Sequence, residues 1–210
     1  MHRSNKLSSQ TSTTTVIVLC GGKGSRLQGV DKPLLEIDKT PIVERICSAL
    51  AGIGPVLISA NRNAALYQRY GSVIADQETD LGPLAGLAAC LKRCRTENAL
   101  IVPGDCPDYS RGLAEKLLCA LDDATQRLDA VCANDGHRQQ HLHVALQVSV
   151  LSKLERYLEL GGRSVKGWLK ELRFGAVDCS EFTNTFADID NAQDLAKRQS
   201  SLRESHSLNR

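Results

Sequence analysis

Thr14-Thr-Val-Ile-Val-Leu19-Cys20-Gly21-Gly22-Lys23-Gly24-Ser25-Arg26-Leu27-Gln28-Gly29-Val30-Asp31-Lys32-Pro33 is a β-branched apolar run that halts at glycine. The run reads as a buried strand. The loop after it carries four glycines and the cations Lys23, Arg26 and Lys32. Glycine lets backbone N–H groups approach a phosphate chain closely. In a doubly wound sheet, the carboxyl end of a central strand is where ligands bind. The order of residues is neither a Walker A loop nor a dinucleotide fingerprint. A flexible turn with solvated charges is the bland alternative, and so much glycine and positive charge directly after a buried strand speak against it.

Outward from this segment, strands and helices alternate. Strands are expected at 55–59, 72–75 and 98–102, and helices over 40–50, 63–70, 83–92 and 111–121. Short connections between them are the pattern of βαβ units. Beyond residue 130 the order is less regular. Strands are expected at 130–133, 143–148 and 174–177, and helices at 149–160, 164–172 and 192–199, with Asp135-Gly136 suggesting a hairpin. The fold class is therefore α/β: a single Rossmann-like domain over 15–198, mostly parallel, with helices on both faces and a small antiparallel part in the C-terminal half. Residues 1–14 read as a disordered leader and 199–210 as a flexible tail.

The 210 residues suit one domain, 42% hydrophobic and 24% charged, with only 4% aromatics, so aliphatic side chains must fill the core. Lys and Arg number 26 against 24 acids, a net charge of +2. That balance argues against a nucleic-acid binder dominated by backbone electrostatics. The leader lacks the apolar stretch of a signal peptide, and no run approaches the length of a membrane span. A cytoplasmic protein without membrane or nucleic-acid partners is expected. The eight cysteines read as thiols rather than a disulfide framework. Cys20, Cys47, Cys119 and Cys132 are expected in the core, and Cys90 and Cys94 do not complete a zinc motif.

Three further motifs carry candidate chemistry. Val102-Pro103-Gly104-Asp105-Cys106-Pro107 ends the fourth strand, on the same sheet edge as the Gly-rich loop. One Asp with phosphate oxygens and waters is a common way to hold magnesium, so Asp105 is the metal candidate. Asp108 reads as a turn or cap residue. Asp76 closes a strand, and Leu81-Gly82-Pro83-Leu84-Ala85-Gly86 opens a helix, which suits either an anion at the helix N-terminus or tight helix packing. In Phe186-Ala187-Asp188-Ile189-Asp190-Asn191, Asp188 and Asp190 share a face that is either near the metal or solvent-exposed, and Asn191 can cap the last helix. His141 and His143 alternate on one strand face, best read as polar residues at a strand edge or acceptor pocket. Trp168 is expected to pack a helix onto the sheet. Beside it, Arg163 and Lys166 either meet an anion or are solvated.

Taken together, Leu19-x-Gly21-Gly22, Arg26, Gly29-x-Asp31-Lys32, Gly82-Pro83-Leu84-Ala85-Gly86, Pro103-x-Asp105-x-Pro107 and Phe186-x-Asp188-x-Asp190 resemble the molybdenum cofactor guanylyltransferases, a branch of the Rossmann-like nucleotidyltransferases. The resemblance spans roughly residues 15–198. It implies transfer of GMP from GTP to molybdopterin, with Mg²⁺ as cofactor. It also implies a nucleotide site of Leu19, Cys20, Gly21, Gly22, Lys32, Ser59, Asp76, Gly82 and Asp105. Arg26, Lys32 and Asp105 would be catalytic, and Asp105 would bind the metal. Implied partners are GTP, molybdopterin and the molybdoenzymes or chaperones that receive the product, with the chain acting as a monomer. Ser59 stands where the family often has Asn. Leu142, Asp188 and Asp190 also depart from its pattern, on the acceptor side. The competing readings are a cytidylyl or sugar-phosphate nucleotidyltransferase, and a non-catalytic nucleotide-binding partner protein.

Overall fold

The computed structural model describes residues 13–21, 31–76 and 82–189, together with 193, 194, 196 and 198. Nine strands are present among them: β1 (Thr14–Leu19), β2 (Glu36–Ile37), β3 (Thr40–Pro41), β4 (Val56–Ser59), β5 (Ser72–Ile74), β6 (Asn98–Pro103), β7 (Ala130–Asn134), β8 (Gln139–Gln147) and β9 (Phe174–Asp178). The helices are α1 (Ile42–Ala49), α2 (Ala64–Tyr67), α3 (Pro83–Leu91), α4 (Arg111–Leu121), α5 (Leu151–Glu159) and α6 (Val165–Leu169). Seven strands form one sheet in the order β5-β4-β1-β6-β8-β7-β9. β1, β4, β5 and β6 pair in parallel. β8 runs antiparallel to both β6 and β7, and β9 returns parallel to β7. This is the expected class, with β8 supplying the antiparallel part.

Alternation along β1 explains the three layers. Val16 and Val18 face a core built with Ile42, Val43 and Ile46 of α1 and Leu113, Ala114 and Leu117 of α4. Ile17 and Leu19 face the opposite core, with Leu84, Leu87 and Leu91 of α3, Leu154 of α5 and Trp168 of α6. Successive side chains of a strand point to opposite faces, so a strand with no polar alternation is buried on both. Trp168 is 1% exposed and fastens α6 to the sheet as expected.

Several expectations need correction. β8 begins at Gln139, four residues before the strand expected there, because cross-strand pairing carries the polar Gln139-Gln140-His141 run into the hairpin. The β2–β3 hairpin turns on Asp38 and Lys39, both at positive φ, without the Gly that usually advertises such a turn. α2 and α6 are shorter than the helices expected there. Cys119 is exposed, because α4 buries the stripe Leu113, Ala114, Leu117 and Leu121 and turns Cys119 away. Cys47 is half-buried. Thr14 belongs to β1, while residues 1–12 and 199–210 lie outside the described set. Among the described residues no helix is long and apolar enough to cross a membrane.

At the far end of the sheet, Asp129 is buried and fastens two segments. Its Oδ1 accepts from Arg173 Nε at 3.1 Å, and its Oδ2 from Lys153 Nζ at 2.8 Å and the Arg173 backbone N–H at 3.1 Å. Burial alone would raise the carboxyl pKa, but these donors outweigh it and hold the pKa well below the usual carboxylate range. A depressed folded-state value stabilises the protein above the unfolded pKa of about 3.9, and the stabilisation is lost as pH falls through the folded value. Asp129→Asn is expected to cost roughly 2 kcal/mol at pH 7, with the gap to wild type narrowing below about pH 4. Urea unfolding at pH 7 and pH 3 measures both.

Candidate active site

β1 has β4 on one side and β6 on the other, so the chain switches direction beside it and a crevice opens at the carboxyl ends of β1 and β6. Gly104 lies at the floor of this crevice. Its N–H donates to the Leu19 carbonyl at 3.0 Å. A Cβ there would stand 2.8 Å from the Leu19 carbonyl oxygen, 2.9 Å from Pro33 Cγ and 3.0 Å from Cys20 Sγ. The absence of a side chain is what lets the loop after β6 lie against the loop after β1. The contact brings Lys32 Nζ to 3.8 Å from Asp105 Oδ2. Lys32 opens a short 3-10 turn, and the preceding Asp31 is anchored by Tyr67 Oη at 2.8 Å and Asn63 Nδ2 at 2.9 Å. Tyr67 is fully buried in the α1–α4 core, so the Lys32 turn is tied to the interior.

On the β4–β5 side the structure places Leu19, Cys20, Ser59, Asp76 and Gly82 along one sheet edge. Cys20 is buried, and its N–H donates to the Ser59 carbonyl at 2.9 Å. Burial, and then the nearby Asp31, push its thiol pKa well up, so it is a neutral packing residue. Ser59 is also buried, with Oγ pressed against Gly86 at 2.1 Å from where a Cβ would stand. The exposed amide at this edge belongs to Asn61, which sequence reasoning passed over although it follows Ser59 by two positions. Asn61 Nδ2 donates to Asp76 Oδ1 at 2.7 Å, and the Asp76 N–H donates back to Asn61 Oδ1 at 2.9 Å. Gly82 caps α3 at φ 71° and ψ −164°, a conformation open essentially to glycine. Gly21 is exposed, with open space about it.

On the β8 side, a cleft of about 660 Å³ is lined by Asp105, Arg138, His141, Leu142, Lys166 and Asp188, among others. The β7–β8 turn that presents Arg138 is held by Asp135, whose Oδ1 accepts from the N–H groups of His137 and Arg138. The Ile189 N–H donates to the Asp105 carbonyl at 3.0 Å, which draws Asp188 to the cleft wall. The imidazole of His141 has its pKa lowered by partial burial and then by Lys166 and Lys170. His143 also borders the cleft but is only 3% exposed, not at an open strand edge, and burial brings its pKa down to about 3. Its ring stacks on Tyr109 at 5.6 Å between centroids and meets the edge of Phe186 at 5.0 Å.

Two candidate residues turn elsewhere. Arg163 donates to the carbonyls of Leu158 and Gly162 and closes the end of α5, whereas Lys166 lines the cleft. Asp108 does not cap α4; it pairs with Arg45 at 3.1 Å and with Arg198. Gly22, Lys23, Gly24, Arg26, Gly29, Asp190 and Asn191 lie outside the described residues. Among the described residues no three His, Cys, Asp or Glu side chains gather as a metal cage. A partly exposed carboxylate such as Asp105, 29% accessible, suits a hard cation that takes most of its ligands from phosphate and water.

Residues 16–175 match the MobA-like NTP transferase domain. The chain belongs to that family. This MobA-like NTP transferase is therefore a nucleotidyltransferase enzyme. It is 34% identical over 190 residues to the molybdenum cofactor guanylyltransferase of Vibrio campbellii, covering 90% of this chain and 96% of that protein. Its fold is similar to the crystal structure of molybdopterin-guanine dinucleotide biosynthesis protein A from Archaeoglobus fulgidus (TM-score 0.76, 20% identity, 90% and 99% of the two chains). It is also similar to a cytidylyltransferase from Leptospira borgpetersenii (TM-score 0.70, 15% identity, 93% and 88%). At these identities the structures share the fold, and the fold serves more than one base.

The crevice floor gives a paired test. Gly104→Ala should destabilise this MobA-like NTP transferase by about 1–3 kcal/mol, since the new methyl meets backbone. It should also lower turnover by spreading Lys32 from Asp105. Gly21→Ala, with open space around it, should leave stability within about 0.5 kcal/mol. Urea midpoints and kcat for the two variants measure the contrast; equal stability loss in both would show that the floor is not tight.

Proposed function

We propose that this MobA-like NTP transferase moves GMP from GTP to the terminal phosphate of molybdopterin, giving the guanine dinucleotide cofactor and pyrophosphate. The observation that carries this reading is the Lys32–Asp105 juxtaposition at 3.8 Å, set between the Ser59–Asp76–Gly82 edge and the cleft lined by Arg138 and Lys166. Two anionic substrates can meet there, one from each side. The likeness to the Vibrio guanylyltransferase supports guanine and molybdopterin over the cytidylyl and sugar-phosphate alternatives.

In this mechanism an oxygen of the acceptor phosphate, already ionised at neutral pH, attacks the α-phosphorus of GTP. The new P–O bond forms as the bond to the β-phosphate oxygen breaks, and pyrophosphate leaves. No general base is needed, and His143, held neutral by burial, is not asked to be one. The task is to bring polyanions together, so positioning and charge compensation dominate. Lys32, with Arg26 and the backbone of Leu19, Cys20, Gly21 and Gly22, would hold the triphosphate. Asp105 would hold Mg²⁺, which when bound neutralises phosphate oxygens. The guanine N–H and amino groups need acceptors; Asp76, held by Asn61, faces them with nearby backbone carbonyls. Gly82 allows α3 to approach the nucleotide, with Ser59 supporting its first turn through Gly86. Lys166, Arg138 and His141 would receive the acceptor, and Asp188 would bound its site.

The deciding assay mixes the protein with Mg²⁺, metal-loaded molybdopterin and equal amounts of four ribonucleoside triphosphates, and reads products by mass spectrometry. A guanine dinucleotide with pyrophosphate is expected; a cytosine product would overturn the base assignment, and pyrophosphate without an adduct the acceptor. Asp105→Ala should lower kcat by at least about a hundredfold without unfolding the chain. Lys32→Ala should weaken GTP binding by roughly tenfold. Wild-type turnover in the first, or an unchanged dissociation constant in the second, would remove that residue from the site.

A further inference from the structure

Cys106 and His143 border the same cleft as Asp105 and have no role in the chemistry above. Cys106 is 2% exposed, and its Sγ donates to Asp105 Oδ1 at 3.9 Å. The same Sγ stands 3.8 Å from His143 Nε2. His143 cannot swing away, because Tyr109 covers one face of its ring at an interplanar angle of 1° and Phe186 meets it at 80°. Tyr109 ends the Asp105 loop, and Phe186 lies three residues before Ile189, whose N–H holds the Asp105 carbonyl. One imidazole thus touches both ends of the support for a single carboxylate.

The hydrogen-bond directions are constrained. A thiol has one proton, and if it is given to Asp105 Oδ1 the sulfur can only accept from the histidine. The neutral imidazole then carries its proton on Nε2. Nδ1, which has no partner among the described residues, is left as a bare lone pair rather than a buried, unpaired N–H.

We propose that His143 and Cys106 form a positioning relay that commits Asp105 Oδ1 to the thiol and leaves Oδ2 directed at Lys32 and the metal position. Both are positioning residues: they orient the carboxylate and do not touch substrate. The relay rests on the reading of Asp105 as metal ligand, but its hydrogen bonds exist without metal or nucleotide. Outer partners of metal ligands typically change metal affinity or activity by about 10- to 100-fold when removed.

The test has two readouts. Infrared difference spectra between wild type and Cys106→Ala isolate the Cys106 S–H stretch among the eight thiols. That band should move to higher frequency in the isosteric Asp105→Asn variant, whose amide oxygen is the weaker acceptor, and should shift again in His143→Phe, which keeps the ring stack and loses the nitrogen. Separately, Mn²⁺ binding to the GTP complex, read by electron paramagnetic resonance, should weaken about tenfold in Cys106→Ala and His143→Phe and recover in Cys106→Ser. An unmoved S–H band, wild-type Mn²⁺ affinity in both weakened variants, or a loss that Cys106→Ser does not repair would each overturn the relay. A shifted band beside a failed product assay upholds the relay's hydrogen bonds and overturns the proposed reaction; an unmoved band beside a working assay does the reverse.

Discussion

The close approach of backbone at Gly104 governs the rest of the site. Two loops from neighbouring parallel strands must meet for a lysine and an aspartate of different loops to face one another, and any side chain at the meeting point would hold them apart. The sheet determines where the loops start, since β1 and β6 are paired from Thr14–Asn98 to Leu19–Pro103. The missing Cβ determines how near they finish. The Tyr67 hydroxyl on Asp31 then locks the Lys32 turn to a core that is already packed. Site geometry is in this sense an extension of sheet geometry.

Charge is distributed to match. The cleft beside Asp105 carries Arg138 and Lys166 with the carboxylates Asp105 and Asp188, so neither sign accumulates without a counterpart. Deeper in, the ionisable groups are kept neutral by burial: the Cys20 thiol and the Tyr67 hydroxyl are raised and the His143 imidazole is lowered. A neutral underlayer beneath a charged surface avoids the large expense of unpaired buried ions.

Much of this was legible in the sequence because local signals agreed with tertiary demands. β1 and α4 have the expected bounds, the first a two-sided apolar run and the second a clear helical stripe. The Asp105 and Lys32 motifs were visible because glycines and charge sit at strand ends, where a doubly wound sheet gathers its ligands. The misses arise where long-range contact decides. Nothing local in Gln139-Gln140-His141 says strand; pairing with β7 does. His143 reads from sequence as a strand-edge or pocket residue, and its deep burial is not legible there because a histidine carries no sign of the Tyr109 and Phe186 rings that come from elsewhere in the chain to enclose it. For Arg163 the sequence leaves an anion ligand and a solvated charge both open, because nothing local shows that the carbonyls at the end of α5 take its guanidinium. Asn61 was overlooked because its partner Asp76 is one strand away.

The hydrogen bond from Ile189 to the Asp105 carbonyl, with Thr185 Oγ1 bonded to the Asp108 carbonyl at 3.1 Å, has a bearing on how the enzyme is made. The last of the described strands ends at Asp178, so all of the described strands have left the ribosome before these braces do. Chains are synthesised from the N-terminus and domains organise as they emerge. The sheet can therefore assemble while the Asp105 loop still lacks its final supports. Formation of the sheet and bracing of the Asp105 loop become separate events in the life of a nascent chain, and the second waits for a segment that adds no strand among the described residues.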